Sequence, residues 1–213
     1  MGIPSRQIGW SQESNLLWYI LSQLKRLTNI IFSLKEAATP KYKVYTALLT
    51  QAGGDSPNLV IDLPLTVGVT YEIVDNDGDT ADFTNVGAPN NNVGTFFIAT
   101  GTTPNSWGDN LLGQLQYNEG APIANVLENT IGDVWFDFRD TGHYALSSNG
   151  LFTENKTVAI MGTPYLDGNP ETPGLYSTEW RNTDAVRIYT YRIDDTPSDS
   201  YLFNTFLEVR IYN

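Results

Sequence analysis

The sequence predicts a mainly β protein, in which an N-terminal α-helix of coiled-coil character is followed by a β-sandwich or jelly-roll-like body. Three observations carry this. Between residues 17 and 34, apolar residues recur at alternating spacings of three and four. After residue 40 that period ends, and short runs rich in β-branched and aromatic residues follow, punctuated by Gly, Pro, Asn and Asp. No second helical period interrupts those runs, which disfavours a βαβ arrangement.

The helix is expected over residues 11–38. Ser11 suits the N-cap, and Glu13 in the first turn favours the positive end of the helix dipole. Leu17, Ile20, Leu24, Leu27, Ile31 and Leu34 fall on the a and d positions of a heptad. Leu16, Trp18, Tyr19, Leu21, Ile30 and Phe32 widen the apolar surface beyond a two-helix seam. Mixed Leu and Ile at a and d lacks the pattern of parallel dimers, so a homotrimer is expected. The alternative is a helix packed on its own β domain. The seam covers only about two and a half heptads, so other contacts must help to hold any oligomer. Pro40 ends the helix.

Ahead of the helix, residues 1–10 carry Ile3, Ile8 and Trp10 without a regular period. Such residues bury poorly on their own helix and are expected to dock on another protein. From residue 41 to 213 the body reads as strands: KVYTALLTQ, LVIDLPLTVGVTYEIV, VGTFFIATG, ANVLENTI, DVWFDFRD, HYALSSN, KTVAIMG, AVRIYTYRID and FNTFLEVRIYN. Many short strands with this turn punctuation suggest a sandwich. A weak subdivision is expected near residues 117–121.

Composition narrows the function classes. The 213 residues include no Cys, which excludes disulfides and thiolate chemistry. The opening residues lack the apolar stretch of a secretory signal. No run is long and apolar enough to insert in a membrane. The net charge of −12 is unevenly placed: residues 1–43 carry +4 and the remainder −16. A body this acidic repels nucleic acid at long range. Solubility alone accounts for the acidity; a basic arm that docks while acidic bodies repel one another also fits.

Four constellations could carry chemistry. Asp75, Asp77, Asp79 and Asp82 in and after DNDGD are hard oxygen donors at short spacing, as calcium prefers. Positions six and twelve of that run are Thr80 and Val86, where an EF-hand loop needs Gly and Glu, so a hairpin turn is favoured. His143 is the sole histidine and has no GxSxG partner motif. The carboxylate pairs Asp133 and Asp137, Asp194 and Asp195, and Glu171 and Glu179 are the kind that glycoside hydrolysis uses, but with 24 acids sequence alone selects none. Trp107, Tyr165, Tyr176 and Trp180 lie in or beside loop-like stretches, where flat faces can stack on a host sugar or protein, or fold back over the sandwich end. The Asn155–Thr157 sequon is a pattern that arises often by chance. Nucleotide-binding signatures are absent, and neither a cofactor nor a catalytic residue is assigned.

The opening IPSRQIGWSQESNLLWYILSQLKRL resembles the N-terminal segment of virion proteins from crAss-like and related tailed bacteriophages of Bacteroidota. In the body, YKVYTALLTQAGGDSP, DFTNVGAPNNNVGTFFIATGTTPNSW and APIANVLENTIGDVWF resemble modules that recur in phage structural proteins. Together these segments cover about half of the chain. The resemblance implies a fibre-like virion component, often trimeric, attached to capsid or tail proteins by its N-terminus. The short chain inclines the reading to a head fibre or small appendage. The alternatives are a tail-associated adhesin for host glycan and a capsule-polysaccharide depolymerase.

Overall fold

The computed structural model describes residues 11–38, 41–51, 57–109, 111–162, 174–199 and 201–213. The chain forms two compact units, Met1–Lys41 and Tyr42–Asn213.

The first unit contains helix α1 (Gln12–Ala38). Ser11 caps it as expected: its hydroxyl accepts from the Ser14 backbone N–H at 3.3 Å, satisfying one of the orphan donors of the first turn. The helix ends two residues before Pro40, the residue whose ring would clash with a continuing turn. Its apolar surface is uncovered. Leu17, Ile20, Leu24, Leu27 and Ile31 of the seam are 44–63% exposed, and the side chain of Leu34 lies outside the described residues. No helix among the described residues is long and apolar enough to cross a membrane.

The second unit is mainly β, as the strand runs require. Its strands are β1 (Tyr42–Thr50), β2 (Pro57–Val60), β3 (Thr70–Asp75), β4 (Ala81–Asp82), β5 (Phe96–Ile98), β6 (Ser106–Trp107), β7 (Gln114–Asn118), β8 (Ile123–Asn129), β9 (Val134–Asp140), β10 (His143–Ser148), β11 (Thr157–Met161), β12 (Gly174–Asn182), β13 (Ala185–Arg192) and β14 (Thr205–Tyr212). All pairings are antiparallel. Two four-stranded sheets, in the orders β11-β14-β1-β8 and β12-β13-β10-β9, share one core. Tyr45, Ala47 and Leu49 of β1 and Leu207 and Val209 of β14 come from the first sheet; Phe136, Leu146, Val186 and Ile188 come from the second. This is a sandwich built from the inward row of each strand. The β13 faces divide as alternation demands, with Val186, Ile188 and Thr190 buried and Arg187, Tyr189 and Tyr191 half-buried.

Between β1 and β8 the chain leaves the sandwich and builds a second core. Strands β2, β7, β3 and β5 form a four-stranded sheet, and β4 pairs with β6 beside it. Tyr71, Ile73, Phe83, Phe97, Trp107 and Leu115 fill this core. The insertion runs from Pro57 to Asn118, within the single compact unit Tyr42–Asn213. Gly68 fastens the insertion to the sandwich. Its φ is +87°, a Cβ there would stand 2.4 Å from the Ala124 carbonyl oxygen, and the Gly68 carbonyl accepts from the Ala124 N–H at 2.8 Å.

Trp107, open in the sequence to a ligand-facing or a packed role, is core. It is 8% exposed and meets Phe83 edge-on at a centroid distance of 5.5 Å. Its strand β6 pairs with β4, and that pairing turns the ring inward. Trp107→Ala should cost about 3–5 kcal/mol, as large aromatic deletions in cores do. Urea unfolding of the full chain measures it.

Candidate functional site

The outer face of the insertion sheet stands against the edge of the sandwich. Alternation along β3 sends Tyr71 and Ile73 into the insertion core and leaves Thr70 and Glu72 on the opposite face. Register then places Phe96 of β5 and Gln116 of β7 on either side of Glu72, in one row across three strands. Facing this row is β9, whose ladder partner among the described residues is β10. The Phe136 N–H turns away from β10 and donates to the Thr70 hydroxyl at 3.0 Å, which ties the two sheets together.

A cleft of about 220 Å³ opens between these elements. Glu72, Phe96, Gln116, Tyr117, Asp137 and Phe138 are among the residues that line it. Phe96 lies flat against Trp135 at 5.2 Å between ring centroids and 14° between planes, so β5 and β9 share an aromatic slab. Asp137 sits on the outer face of β9. One of its oxygens, Oδ2, accepts from the Ser147 hydroxyl and from the Arg139 guanidinium at 2.9 Å. Glu72 has no hydrogen-bond partner among the described residues.

Both carboxyls are raised above their ordinary range. Burial is the main cause for Asp137, against the opposing pull of the Ser147 hydrogen bond and the Arg139 charge. Burial is also the main cause for Glu72, and the negative charge of Asp137 adds to it. The site is thus a half-enclosed cleft beside the Phe96 ring, with two carboxyls, one anchored and one free.

The sequence does not pair these two acids. Asp133 lines a different cleft, one formed by β5, β8 and the start of β9. Asp194 accepts from the Thr196 N–H in a turn where Asp195 has a φ of +64°. Glu179 accepts from the Tyr189 hydroxyl at 3.2 Å, and Glu171 lies outside the described residues. Adjacency in sequence joined those pairs, whereas the spatial pair comes from register between distant strands.

The remaining candidates fall as follows. The aspartates of DNDGD spend their oxygens on the turn. Asp75 Oδ1 accepts from the Asp77 N–H at 2.9 Å, Asp79 Oδ1 from the Asn76 amide at 2.7 Å, and Asp77 Oδ2 from the Thr80 hydroxyl at 2.9 Å. Asp77 and Asp79 adopt positive φ, as such turns require. Asp82 ties three segments together. It accepts from the Thr84 N–H and hydroxyl, from Asn91 and from Asn105, and these bonds hold its carboxyl far below the usual range. Among the described residues no three acidic or imidazole side chains are grouped to hold a metal ion.

His143 stacks on Tyr189 at 4.6 Å between centroids. Burial, then Arg187 and Arg139, holds its pKa below the ordinary value. The Tyr176 hydroxyl donates to the Tyr201 carbonyl and lies 3.0 Å from the Thr205 hydroxyl, so it braces the sandwich end. Trp180 packs half-buried against the sandwich core. Ile3, Ile8, Trp10 and Tyr165 lie outside the described residues.

Compared with known protein families, curated proteins and solved structures, the chain matches none of them.

The raised carboxyls make a pH-dependent prediction. A carboxyl that binds its proton more tightly when folded favours the folded state at low pH, and that contribution is lost as pH rises through the folded pKa. Glu72→Gln removes the unfavourable charge without changing shape. Its melting temperature should exceed that of the parent at pH 7, and the gain should vanish below pH 4, where Glu72 is itself protonated. Thermal scans of both proteins across that range measure the difference.

Proposed function

We propose that this protein is a structural component of a tailed-bacteriophage particle, a trimeric head fibre or small appendage anchored by its N-terminus. The observation that carries the reading is the uncovered apolar surface of α1. Ten large apolar side chains of this helix, from Leu16 to Phe32, are at least 43% exposed. A surface of this kind demands a cover. The a/d spacing of Leu17, Ile20, Leu24, Leu27, Ile31 and Leu34 suits parallel copies of the same helix, and Leu16, Leu21 and Ile30 beside the seam suit three helices better than two. The resemblance of the opening segment to phage virion proteins supports the same reading. Attachment through residues 1–10 to a capsid or tail protein leaves the acidic body outward, where like charge keeps neighbouring bodies apart. The protein acts here as scaffold or decoration rather than as an enzyme.

A second reading is favoured by the cleft between the insertion and β9. Two carboxyls among aromatic side chains suit a protein that binds host glycan, as a tail-associated adhesin does. A capsule-polysaccharide depolymerase would draw on the same groups.

Two measurements test the first reading. Light scattering of the intact chain should give three times its 23.7 kDa, and a monodisperse monomer would refute the trimer. Deletion of residues 1–10 should abolish incorporation into particles while the body keeps its melting temperature. Incorporation at the parental level would sink the anchoring role of that segment.

A further inference from the structure

We propose that the cleft between β3, β5, β7 and β9 binds a single neutral pyranose ring, at a chain end or branch of a surface saccharide. The inference rests on the glycan-binding reading of the body and assigns it a place and a ligand class. Three independent features converge there.

The first is shape. A volume of about 220 Å³ lies below the roughly 300–1,000 Å³ of sites for drug-sized ligands, so one ring fits where a longer segment does not. The second is the wall. Phe96 lines the cleft and is held by its stack on Trp135, whereas the Tyr117 ring packs on Tyr71 at the insertion core and the Phe138 ring on Tyr144 at the sandwich core. Aromatic faces of this kind take the C–H face of a sugar ring. The third is the polar complement. Glu72 offers an acceptor with no partner of its own among the described residues, and Asp137 is positioned by Ser147 and Arg139. Gln116 stands beside Glu72 in the same row, and its side-chain amide can both donate and accept. A sugar brings several hydroxyls, each both donor and acceptor, and so matches a mixed set that a purely apolar ligand would leave unsatisfied.

Charge decides between sugar classes. The cleft itself holds two carboxyls, and residues 44–213 carry −16, so an anionic saccharide is repelled both locally and at long range. A neutral ring meets no such barrier.

The test uses the full chain and four neutral probes: glucose, galactose, mannose and N-acetylglucosamine. Saturation-transfer NMR should show transfer to the ring C–H protons of at least one of them. Titration should then give at least about tenfold weaker binding for Glu72→Gln, since hydrogen bonds to a charged acceptor are the stronger ones. This variant is chosen because it is expected to be at least as stable as the parent at pH 7. Phe96→Ala should weaken binding to a similar degree. If none of the probes receives saturation, the proposal and the glycan-binding reading both fall. Should a probe bind the parent and both variants equally, this cleft is not the site, while the glycan-binding reading stands.

Discussion

The body depends on the pairing of its first strand with its last. β1 lies between β14 and β8, and all three inward residues at its centre, Tyr45, Ala47 and Leu49, are fully buried. Each meets its counterpart across the β14 ladder: Tyr45 opposite Val209, Ala47 opposite Leu207, and Leu49 opposite Thr205. This row is one wall of the sandwich core. A slip of one residue would turn Val44, Thr46 and Leu48 inward and expose the Tyr45, Ala47 and Leu49 row, so burial itself holds the register. Ordering the two ends of a body this long is costly in chain entropy, and only a dense shared core offsets it.

That constraint explains where the insertion sits and why it is tolerated. With β1 and β8 adjacent in one sheet, the chain between them begins and ends close together, and the intervening segment can fold as a unit with its own core. Its attachment is made by the Gly68 and Ala124 backbones, by Thr70 with the Phe136 N–H, by the Phe96 stack on Trp135 and by Ile98, which enters the sandwich core. The candidate cleft is the space left beside these ties. Where β9 turns its unpaired edge to a sheet from another core, neither closes fully on the other. Glu72 and Asp137 are consequently half-sheltered, and their raised pKa values follow from that position.

The helix obeys a different constraint. Its hydrogen bonds are internal and its N-terminus is capped by Ser11, so the backbone is self-sufficient. The side chains are not, since the aliphatic row and the aromatics Tyr19 and Phe32 face solvent. An isolated amphipathic helix gains little of its stability from propensity alone, and most comes from burying such a face.

What the sequence by itself determined is whatever depends on local spacing. The three-four period of Leu17 to Leu34 specified α1, and Ser11 and Pro40 bounded it to within two residues. Alternation specified strands such as β13, including which of Val186, Arg187, Ile188 and Tyr189 face inward. Turn chemistry specified a turn at DNDGD, because Asn and Asp bond their own backbone, but not the expected hairpin, since β3 pairs with β5 and β7 while β4 pairs with β6. Tertiary structure alone decided whatever depends on register between distant strands. Trp107 looked like a loop residue until pairing of β6 with β4 turned it into a core. Glu72 and Asp137 carried no local mark among 24 acids, and they meet only because the insertion sheet stands against the edge of β9. A helix or a hairpin is encoded by neighbours within a few residues of one another, whereas a cleft is a relation between surfaces that exist only after both cores have formed.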